Sequence, residues 1–501
     1  MLPRSGFTLY PFVANGHEQA MKILRPSLLA LAVLLASPAP AYELPSLGDT
    51  SSSIVSLEQE HRLGRAWLSI LRGQVKQLSD PLLKDYVERS VYRLAETSQL
   101  QERRLEFVIL ASPQLNAFAA PGGIIGVNGG LLLHARTEAE YASVMAHELA
   151  HLSQRHFARG LEAQKRIQVP LMAGMLAGVV AAAAGAGEAG IAAITASQAA
   201  AFQEQQRFSR QNEQEADRLG LQNLARAGYD PLAMPDMFER LLRQYRYDRM
   251  PPEFLLTHPL TESRVADTRN RAEQLAARGT NSGKRDSLEY QLLRSRIQLT
   301  FEDTPGIALK RFRAELEQDP QNEAARYGLA LALIRARQPE QARSELDGLL
   351  AKRPDNLYYI LAAVDLDISN RQNGRALQRI TAALQEQPFN YPLQAAQIDL
   401  LMREQKHAEA EQLLQQLLKQ RPNDPDIWYD LAEVRGLVNN IIGLHQARAE
   451  FFARVGDYEQ AISQLGLAKQ RASNNYPLAA RIDARQQELI SEEQAIRDML
   501  K

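Results

Sequence analysis

Hydrophobic residues recur along most of this chain at the spacing of amphipathic helices, and a strand-like pattern is confined to one short region. The helical pattern covers Leu57–Ser98 and Asp230–Arg278. Between them lie an apolar run, Leu105–Leu110, and a glycine-bounded segment, Gly122–Gly130, which predicts an edge strand or a hairpin. An edge strand could bind an extended substrate through main-chain hydrogen bonds, whereas a hairpin would be purely structural. The pattern predicts an α+β domain dominated by helix.

The second half of the chain is periodic. Two residue types recur at one constant interval, namely Pro320, Pro354, Pro388 and Pro422, and Ala308, Ala342, Ala376 and Ala410. The interval is that of tetratricopeptide repeats, about 34 residues, in which small residues let paired helices pack closely and a proline closes each repeat. The markers stop after Pro422, although Val455–Ala461 still has the pattern of a repeat turn, so irregular or capping helices are expected there. The predicted α-solenoid would present a concave docking surface to partners.

Length and composition allow two domains with substantial cores. The chain has 501 residues, of which 45% are hydrophobic, and a formal net charge of -1. Its mixed charges form no basic footprint, so no nucleic-acid partner is expected. A polar, glycine-bearing stretch predicts a linker at residues 279–287, between an N-terminal domain of residues 42–278 and a repeat domain of residues 288–501.

The N-terminus has the pattern of a secretory signal peptide. A basic segment begins at Met21, an apolar core covers Leu28–Ala36, and Ala39–Ala41 fits a cleavage site. Residues 1–41 are therefore predicted to be an upstream extension and a signal peptide. A membrane anchor is the alternative, but the apolar core is short for a span. The chain has no cysteine for a disulfide or a lipid, so the periplasm is the expected location.

The most specific motif in the chain is H-E-x-x-H, formed by His147, Glu148 and His151 in a helical segment. Residues four apart project from one face of a helix, so both imidazoles can bind one metal ion. That ion is predicted to be zinc. Glu148 occupies the position where a metalloprotease places the general base that takes a proton from the metal-bound water.

A catalytic zinc usually has three protein ligands, so a third ligand is required. The continuation H-E-x-x-H-x-x-G-x-x-H is excluded, because Gln154 stands at the glycine position and His156 comes one residue too early. On a continuous helix His156 would face away from His151, and a surface or packing histidine is expected.

A second helix offers the missing ligand. Glu213 and Asp217 are four residues apart, so Glu213 can bind the metal while Asp217 accepts the free N–H of a ligand histidine. Glu215 is expected to point elsewhere. Without the upstream motif, the segment would be an ordinary helix with paired charges.

These motifs resemble the HtpX-like gluzincin metallopeptidases, in which H-E-x-x-H is followed by a helix with the pattern E-x-x-A-D. Here that pattern is Glu213–Asp217, and Asn116–Gly123, Thr257–Leu260 and Arg264 agree as well. With the repeats, the whole mature chain resembles the periplasmic BepA-type proteases. The resemblance implies one Zn²⁺ per chain and an extra, regulatory zinc ligand at His258.

The insertion between the two metal motifs is unusually poor in charge. Ile167–Gly187 contains no charged residue, and Ala189–Gln203 is a second uncharged stretch. A single membrane crossing would separate His151 from Glu213, which must reach the same ion. We expect a helical hairpin over residues 167–203 that covers the active site or touches the membrane peripherally; a membrane-inserted hairpin is the alternative.

The expected protein is a periplasmic zinc endopeptidase with a tetratricopeptide docking domain. The resemblance implies a chaperone-like role in outer-membrane β-barrel assembly, with misfolded or stalled β-barrel proteins as substrates and the assembly machinery bound by the repeats. The alternative is a non-proteolytic chaperone or scaffold with structural zinc. Glu148 disfavours it, because a structural site needs no base and is usually closed by Cys or His.

Overall fold

The computed structural model describes residues 56–160, 163, 209–245, 253–278 and 283–499. The predicted signal peptide, the uncharged stretch at 167–203 and part of the predicted linker lie outside the described residues. No helix within the described ranges is long and apolar enough to cross a membrane.

The first part of the chain is mainly helical, as the hydrophobic pattern predicts. Three helices begin at side chains that accept backbone N–H groups: Ser56 caps α1, Asp80 caps α2, and Thr137 caps α4. The helices are α1 (Leu57–Gln74), α2 (Pro81–Thr97), α3 (Gly129–His134), α4 (Glu138–Ser153), α5 (209–226), α6 (Ala233–Tyr245), α7 (Glu253–Thr257) and α8 (Glu262–Arg278).

A three-stranded sheet lies between α2 and α3 in the chain. It consists of β1 (Glu106–Leu110), β2 (Ala117–Ala120) and β3 (Ile124–Asn128), in the order β1-β3-β2. β3 runs parallel to β1 and antiparallel to β2. The predicted hairpin is confirmed, but β3 is not the edge strand, because it is buried along its whole length in the centre of the sheet. The edge strand of the hairpin is β2.

The hairpin turn depends on two glycines with left-handed backbone conformations. Gly122 has φ +76° and Gly123 has φ +80°, which residues with a Cβ rarely adopt. A Cβ on Gly122 would also lie 2.7 Å from the carbonyl oxygen of Glu60 in α1. The turn therefore fixes the position of β2 against α1.

The second half of the chain is a helical solenoid whose regular helices keep the predicted period. Helices α10, α12, α14 and α16 begin at residues 305, 339, 373 and 407, and the four marker alanines are fully buried. The helices are α9 (Leu288–Thr300), α10 (Pro305–Gln318), α11 (Glu323–Arg335), α12 (Pro339–Lys352), α13 (Leu357–Ser369), α14 (Asn373–Glu386), α15 (Tyr391–Arg403), α16 (His407–Gln420), α17 (Pro425–Leu437), α18 (Ile441–Arg454), α19 (Tyr458–Arg471) and α20 (Tyr476–Met499).

Beyond Pro422 the helices keep the period more closely than expected, and the repeat turn predicted within Val455–Ala461 joins α18 to α19. Helix α18 follows α16 at the same interval that separates α16 from α14, and α19 follows α17 at one residue less. Only the marker residues change: Gly456, with φ +75°, stands where the period would place the next proline. Helix α20 is far longer than the repeat helices α9 to α19, so the terminal helix alone departs in length.

The two halves share a core. Tyr290 of α9 is fully buried with Tyr86 and Tyr141, and the three ring centroids lie 5.8 to 6.1 Å apart. The hydroxyl of Tyr290 donates a hydrogen bond of 2.9 Å to the carbonyl oxygen of Ala135. The first helix after the proposed linker thus completes the core of the first domain.

The last repeats also contact α1, through two glycines. A Cβ on Gly73 would lie 2.4 Å from the carbonyl oxygen of Val455, and a Cβ on Gly456 would lie 2.8 Å from the backbone of Ser69. Nearby, the ammonium of Lys84 in α2 lies 3.0 Å from Asp424 and 2.6 Å from Asp426. Close backbone packing and partly buried ion pairs together join the solenoid to the first domain.

We predict that Gly73→Ala destabilises the protein by about 1–3 kcal/mol, because the added Cβ overpacks a backbone contact. Gly348→Ala is the matched control: Gly348 lies within α12, a Cβ there meets nothing within 4 Å, and alanine should stabilise the helix by roughly 0.5–1 kcal/mol. Chemical denaturation and amide hydrogen exchange across residues 455–458 provide the measurements. Equal stabilisation by both substitutions would contradict the contact.

Candidate metal centre

Helix α4 brings the H-E-x-x-H residues together as the sequence predicts. Every residue from Glu138 to Ala150 is buried, so the helix lies inside the domain rather than on its surface. The Nε2 atoms of His147 and His151 are 3.1 Å apart. The four-residue spacing therefore directs both imidazoles to one point.

Glu213 and His258 complete a cluster of four possible ligands. The carboxylate of Glu213 lies 3.4 Å from Nε2 of His147 and 3.4 Å from Nε2 of His151. Nδ1 of His258, just after α7, lies 3.3 Å from Nε2 of His147 and 3.1 Å from Glu213. One ligand atom from each residue falls within 4.8 Å of all the others.

These separations fit a tetrahedral zinc ion. Bonds of about 2.0–2.1 Å from nitrogen and oxygen place neighbouring ligand atoms roughly 3.4 Å apart. The short distances within the cluster range from 3.1 to 3.4 Å. The donor set, three imidazole nitrogens and one carboxylate oxygen, also suits zinc. The assignment of these residues as ligands remains a prediction from motif and geometry.

Asp217 lies where the sequence analysis places it, beside a ligand histidine. Its Oδ1 atom is 3.1 Å from Nδ1 of His147, and the guanidinium of Arg264 holds the same carboxylate at 2.7 and 2.8 Å. Nη1 of Arg264 lies 3.1 Å from Glu213. Arg264 therefore holds the carboxylates of Glu213 and Asp217, and Asp217 orients the ring of His147.

Glu148 is buried beside the cluster without belonging to the four ligands. It is 1% exposed, it accepts a hydrogen bond from the backbone N–H of Ala119 in β2, and its Oε1 lies 3.5 Å from Nε2 of His258. Among the described residues, Oε1 has no hydrogen-bond donor. Burial raises the pKa of Glu148 against the opposing charges of His258 and His147. A carboxylate with a raised pKa and a free oxygen suits a general base.

The charges around the cluster favour a cation. Burial alone would lower the pKa of His147, but hydrogen bonds with Asp217 and Glu213 raise it to about 10. Burial likewise opposes ionisation of Glu213, but hydrogen bonds from His147 and His258 hold the pKa of that carboxyl far below its usual range. Two ionised carboxylates in a buried site thus stabilise positive charge at its centre.

One contact of the site was not predicted. His156 is buried, with Nδ1 2.9 Å from Nδ1 of His151, and its Nε2 lies 3.3 Å from Glu215. Of the two roles expected for His156, the surface role is wrong, while packing is confirmed by its ring contact with His151. Glu215 lies outside the four possible ligands, as expected, and contacts His156. Helix α4 ends at Ser153, and Arg155 takes a left-handed φ of 50°, which redirects the chain. The local sequence contains no glycine or proline that would predict the end of the helix at this point.

A groove with a volume of about 850 Å³ opens beside the cluster. Its lining includes Glu148, His151 and His258 together with residues of β2. The lining also includes large apolar side chains, among them Trp67 of α1, which packs edge to face on Phe118 at 5.6 Å. The groove can accept an extended chain with bulky apolar side chains.

Comparisons with known proteins agree with this architecture. Residues 81–272 match the model of Peptidase family M48, and residues 305–364 and 368–434 match the tetratricopeptide repeat. A stretch of 170 residues aligns at 34% identity with the mitochondrial metalloendopeptidase OMA1 of Arabidopsis thaliana, covering 34% of this chain and 32% of that protein.

Two bacterial relatives match almost the whole chain. The β-barrel assembly-enhancing protease of Escherichia coli (strain K12) is 35% identical over 482 residues, which are 93% of this chain and 96% of that protein. The protein of the same name from Yersinia pestis is 34% identical over 452 residues, covering 89% and 91%. The chain therefore belongs to the family of β-barrel assembly-enhancing proteases, and it is a metallopeptidase with a tetratricopeptide repeat domain.

Proposed function

We propose that the protein is a periplasmic, zinc-dependent endopeptidase that acts on misfolded or stalled outer-membrane β-barrel proteins. The observation that carries the proposal is the cluster of His147, His151, Glu213 and His258 beside the buried carboxylate of Glu148. The names of the relatives connect them with β-barrel assembly, and misfolded or stalled barrels as substrates are part of this proposal.

His147, His151 and Glu213 would hold one zinc ion per chain. Bound zinc would act as a Lewis acid on the attacking water and on the scissile carbonyl. Glu148 takes the proton from that water and later gives it to the leaving amine. Asp217, 3.1 Å from Nδ1 of His147, would accept its N–H and so keep the Nε2 lone pair available.

His258 stands at the fourth corner of the cluster, where an open catalytic site would admit water. We infer that the resting site is closed by this imidazole and that its withdrawal admits substrate. Nε2 of the same ring faces Glu148 at 3.5 Å. His258 thus blocks both the ligand position and the approach to the base.

Substrate would enter the groove as an extended chain along the edge strand β2. Strand β2 pairs only with β3 among the described residues, so its other edge can offer main-chain hydrogen bonds. Ala119 of β2 donates to Glu148, which brings the bound segment next to the base. Trp67 and Phe157, 39% and 46% exposed, offer apolar contacts.

The repeats would dock the enzyme on the outer-membrane assembly machinery, and residues 167–203 could add a peripheral membrane contact. The competing function is a non-proteolytic chaperone or scaffold. A buried carboxylate that stands outside the ligand set and lines an open groove favours the protease.

We predict that Glu148→Gln keeps near-stoichiometric zinc but loses cleavage of an unfolded β-barrel protein by at least about 10³-fold, because it removes the base and leaves the ligands. Glu213→Ala should lose both zinc and cleavage. Metal analysis of the purified full chain, beside a cleavage assay with and without chelator, provides the test. Chelator-resistant cleavage by wild type, or an active Glu148→Gln variant, would refute the mechanism.

For His258→Ala we expect faster cleavage of unfolded substrate, since the fourth corner opens while three ligands remain. Zinc affinity should fall only modestly. Steady-state kinetics and chelator competition measure the two effects. A loss of turnover with zinc still bound would instead mean that His258 stabilises the transition state. That result would contradict a resting site closed by His258.

We predict that Trp67→Ala lowers kcat/KM about tenfold for peptides with a bulky apolar residue near the scissile bond, since an aromatic contact is lost. Peptides with small residues there should be affected little. Tyr92→Ala is the control, because Tyr92 is a similarly exposed aromatic residue outside the groove. Equal losses for both peptide classes would argue against side-chain selection at Trp67.

A further inference from the structure

The end of α4 and the turn that follows it place His156 next to the ligand residue His151. Arg155, in its left-handed conformation, is held by Glu60 of α1 through an ion pair of 3.0 Å. The chain becomes helical again at residues 156–160, and the ring of His156 packs edge to face on that of His151 with centroids 4.8 Å apart. The Nδ1 atoms of the two rings are 2.9 Å apart.

We propose that His156, held by Glu215 and Arg159, is the positioning residue for His151, and that it fixes the ring orientation and tautomer with which His151 binds the metal. This inference rests on the proposed zinc site. It gives His151 the kind of support that Asp217 gives His147, through a histidine and a carboxylate instead of a carboxylate alone.

The order of donors and acceptors follows from the contacts. Nε2 of His151 faces the ligand cluster, 3.1 Å from Nε2 of His147 and 3.4 Å from Glu213, so a metal ligand needs its lone pair there. The proton of a neutral His151 is then on Nδ1. That N–H can donate only to an unprotonated Nδ1 of His156, which places the proton of His156 on Nε2.

The remaining contacts accept that proton assignment. Nε2 of His156 lies 3.3 Å from Oε2 of Glu215, which can accept its N–H. Nη1 of Arg159 lies 2.8 Å from the same oxygen and keeps the carboxylate ionised and in place. His151 therefore donates to His156, and His156 and Arg159 both donate to Glu215, so each member has a suitable partner.

Geometry also excludes His156 as a fifth ligand. Its near nitrogen contacts Nδ1 of His151, on the side of that ring opposite the ligand atom Nε2. His156 is 7% exposed, so a purely solvent-facing role is excluded as well. Ligand histidines usually donate their second N–H to such a partner, and losing the partner typically costs about 10–100-fold in metal affinity or activity.

The test compares His156→Phe with His156→Asn in the full chain. Phenylalanine keeps the buried ring volume but cannot accept a hydrogen bond, whereas the Oδ1 of asparagine can occupy the position of Nδ1 and accept from His151. Zinc affinity is measured by competition with a chromophoric chelator, and kcat and KM are measured on an unfolded β-barrel protein. We expect His156→Phe to lose about 10–100-fold in zinc affinity and to lose kcat with KM unchanged, and His156→Asn to stay within about threefold of wild type.

Two outcomes would overturn the assignment: a His156→Phe variant that keeps wild-type zinc affinity, or a His156→Asn variant that loses as much as His156→Phe. If His156→Phe does not fold, Glu215→Ala takes its place, because Glu215 is partly exposed and its removal frees His156 without changing the core. Glu215→Ala should then lower zinc affinity by at least about threefold, and an unchanged affinity would also reject the relay. Absence of zinc binding by wild type would instead reject the proposed function, so the two failures are distinct.

Discussion

The close packing of α5 on α4 is the constraint on which the rest of the site depends. A Cβ on Gly220 would lie 3.0 Å from both N and Cα of His147, so the two helices meet almost backbone to backbone. At that distance the short side chains of Glu213 and Asp217 reach His147 from the two sides of its ring. A larger residue at position 220 would separate the helices and pull both carboxylates away from the histidine.

Much of this site could be predicted from sequence because its spacings are local. The separation of His147 from His151, and of Glu213 from Asp217, fixes their shared helix faces once a helix is assumed. The role of His258 came from a family resemblance, since a histidine before a proline carries no geometry of its own. The contact between His156 and His151 was not predicted, because the predicted α4 continued past Ser153. The left-handed Arg155 that ends it is supported by Glu60, which lies far earlier in the chain.

The same distinction between local and distant causes explains the fold. The helices of the repeats follow from the period of the sequence. The marker prolines and alanines end before the helices lose this period, because Gly456 can occupy the turn where a proline stands in the earlier repeats. The central position of β3 depends on its pairing with β1, which no hairpin signal contains. Likewise, the composition that predicted a linker at residues 279–287 could not predict that Tyr290 packs on Tyr86 and Tyr141.

Helix α1 contacts both the groove and the last repeats. Its Trp67 lines the groove, while Gly73 and the backbone of Ser69 lie against the turn at residues 455–456. A partner that displaces this turn must either break the glycine contact or shift the helix that forms the groove wall. In the second case, partner binding and groove occupancy would be thermodynamically linked, and each ligand would change the affinity of the other by the same factor. The contact made by Gly73 and Gly456 would then couple the repeat domain to the peptidase domain.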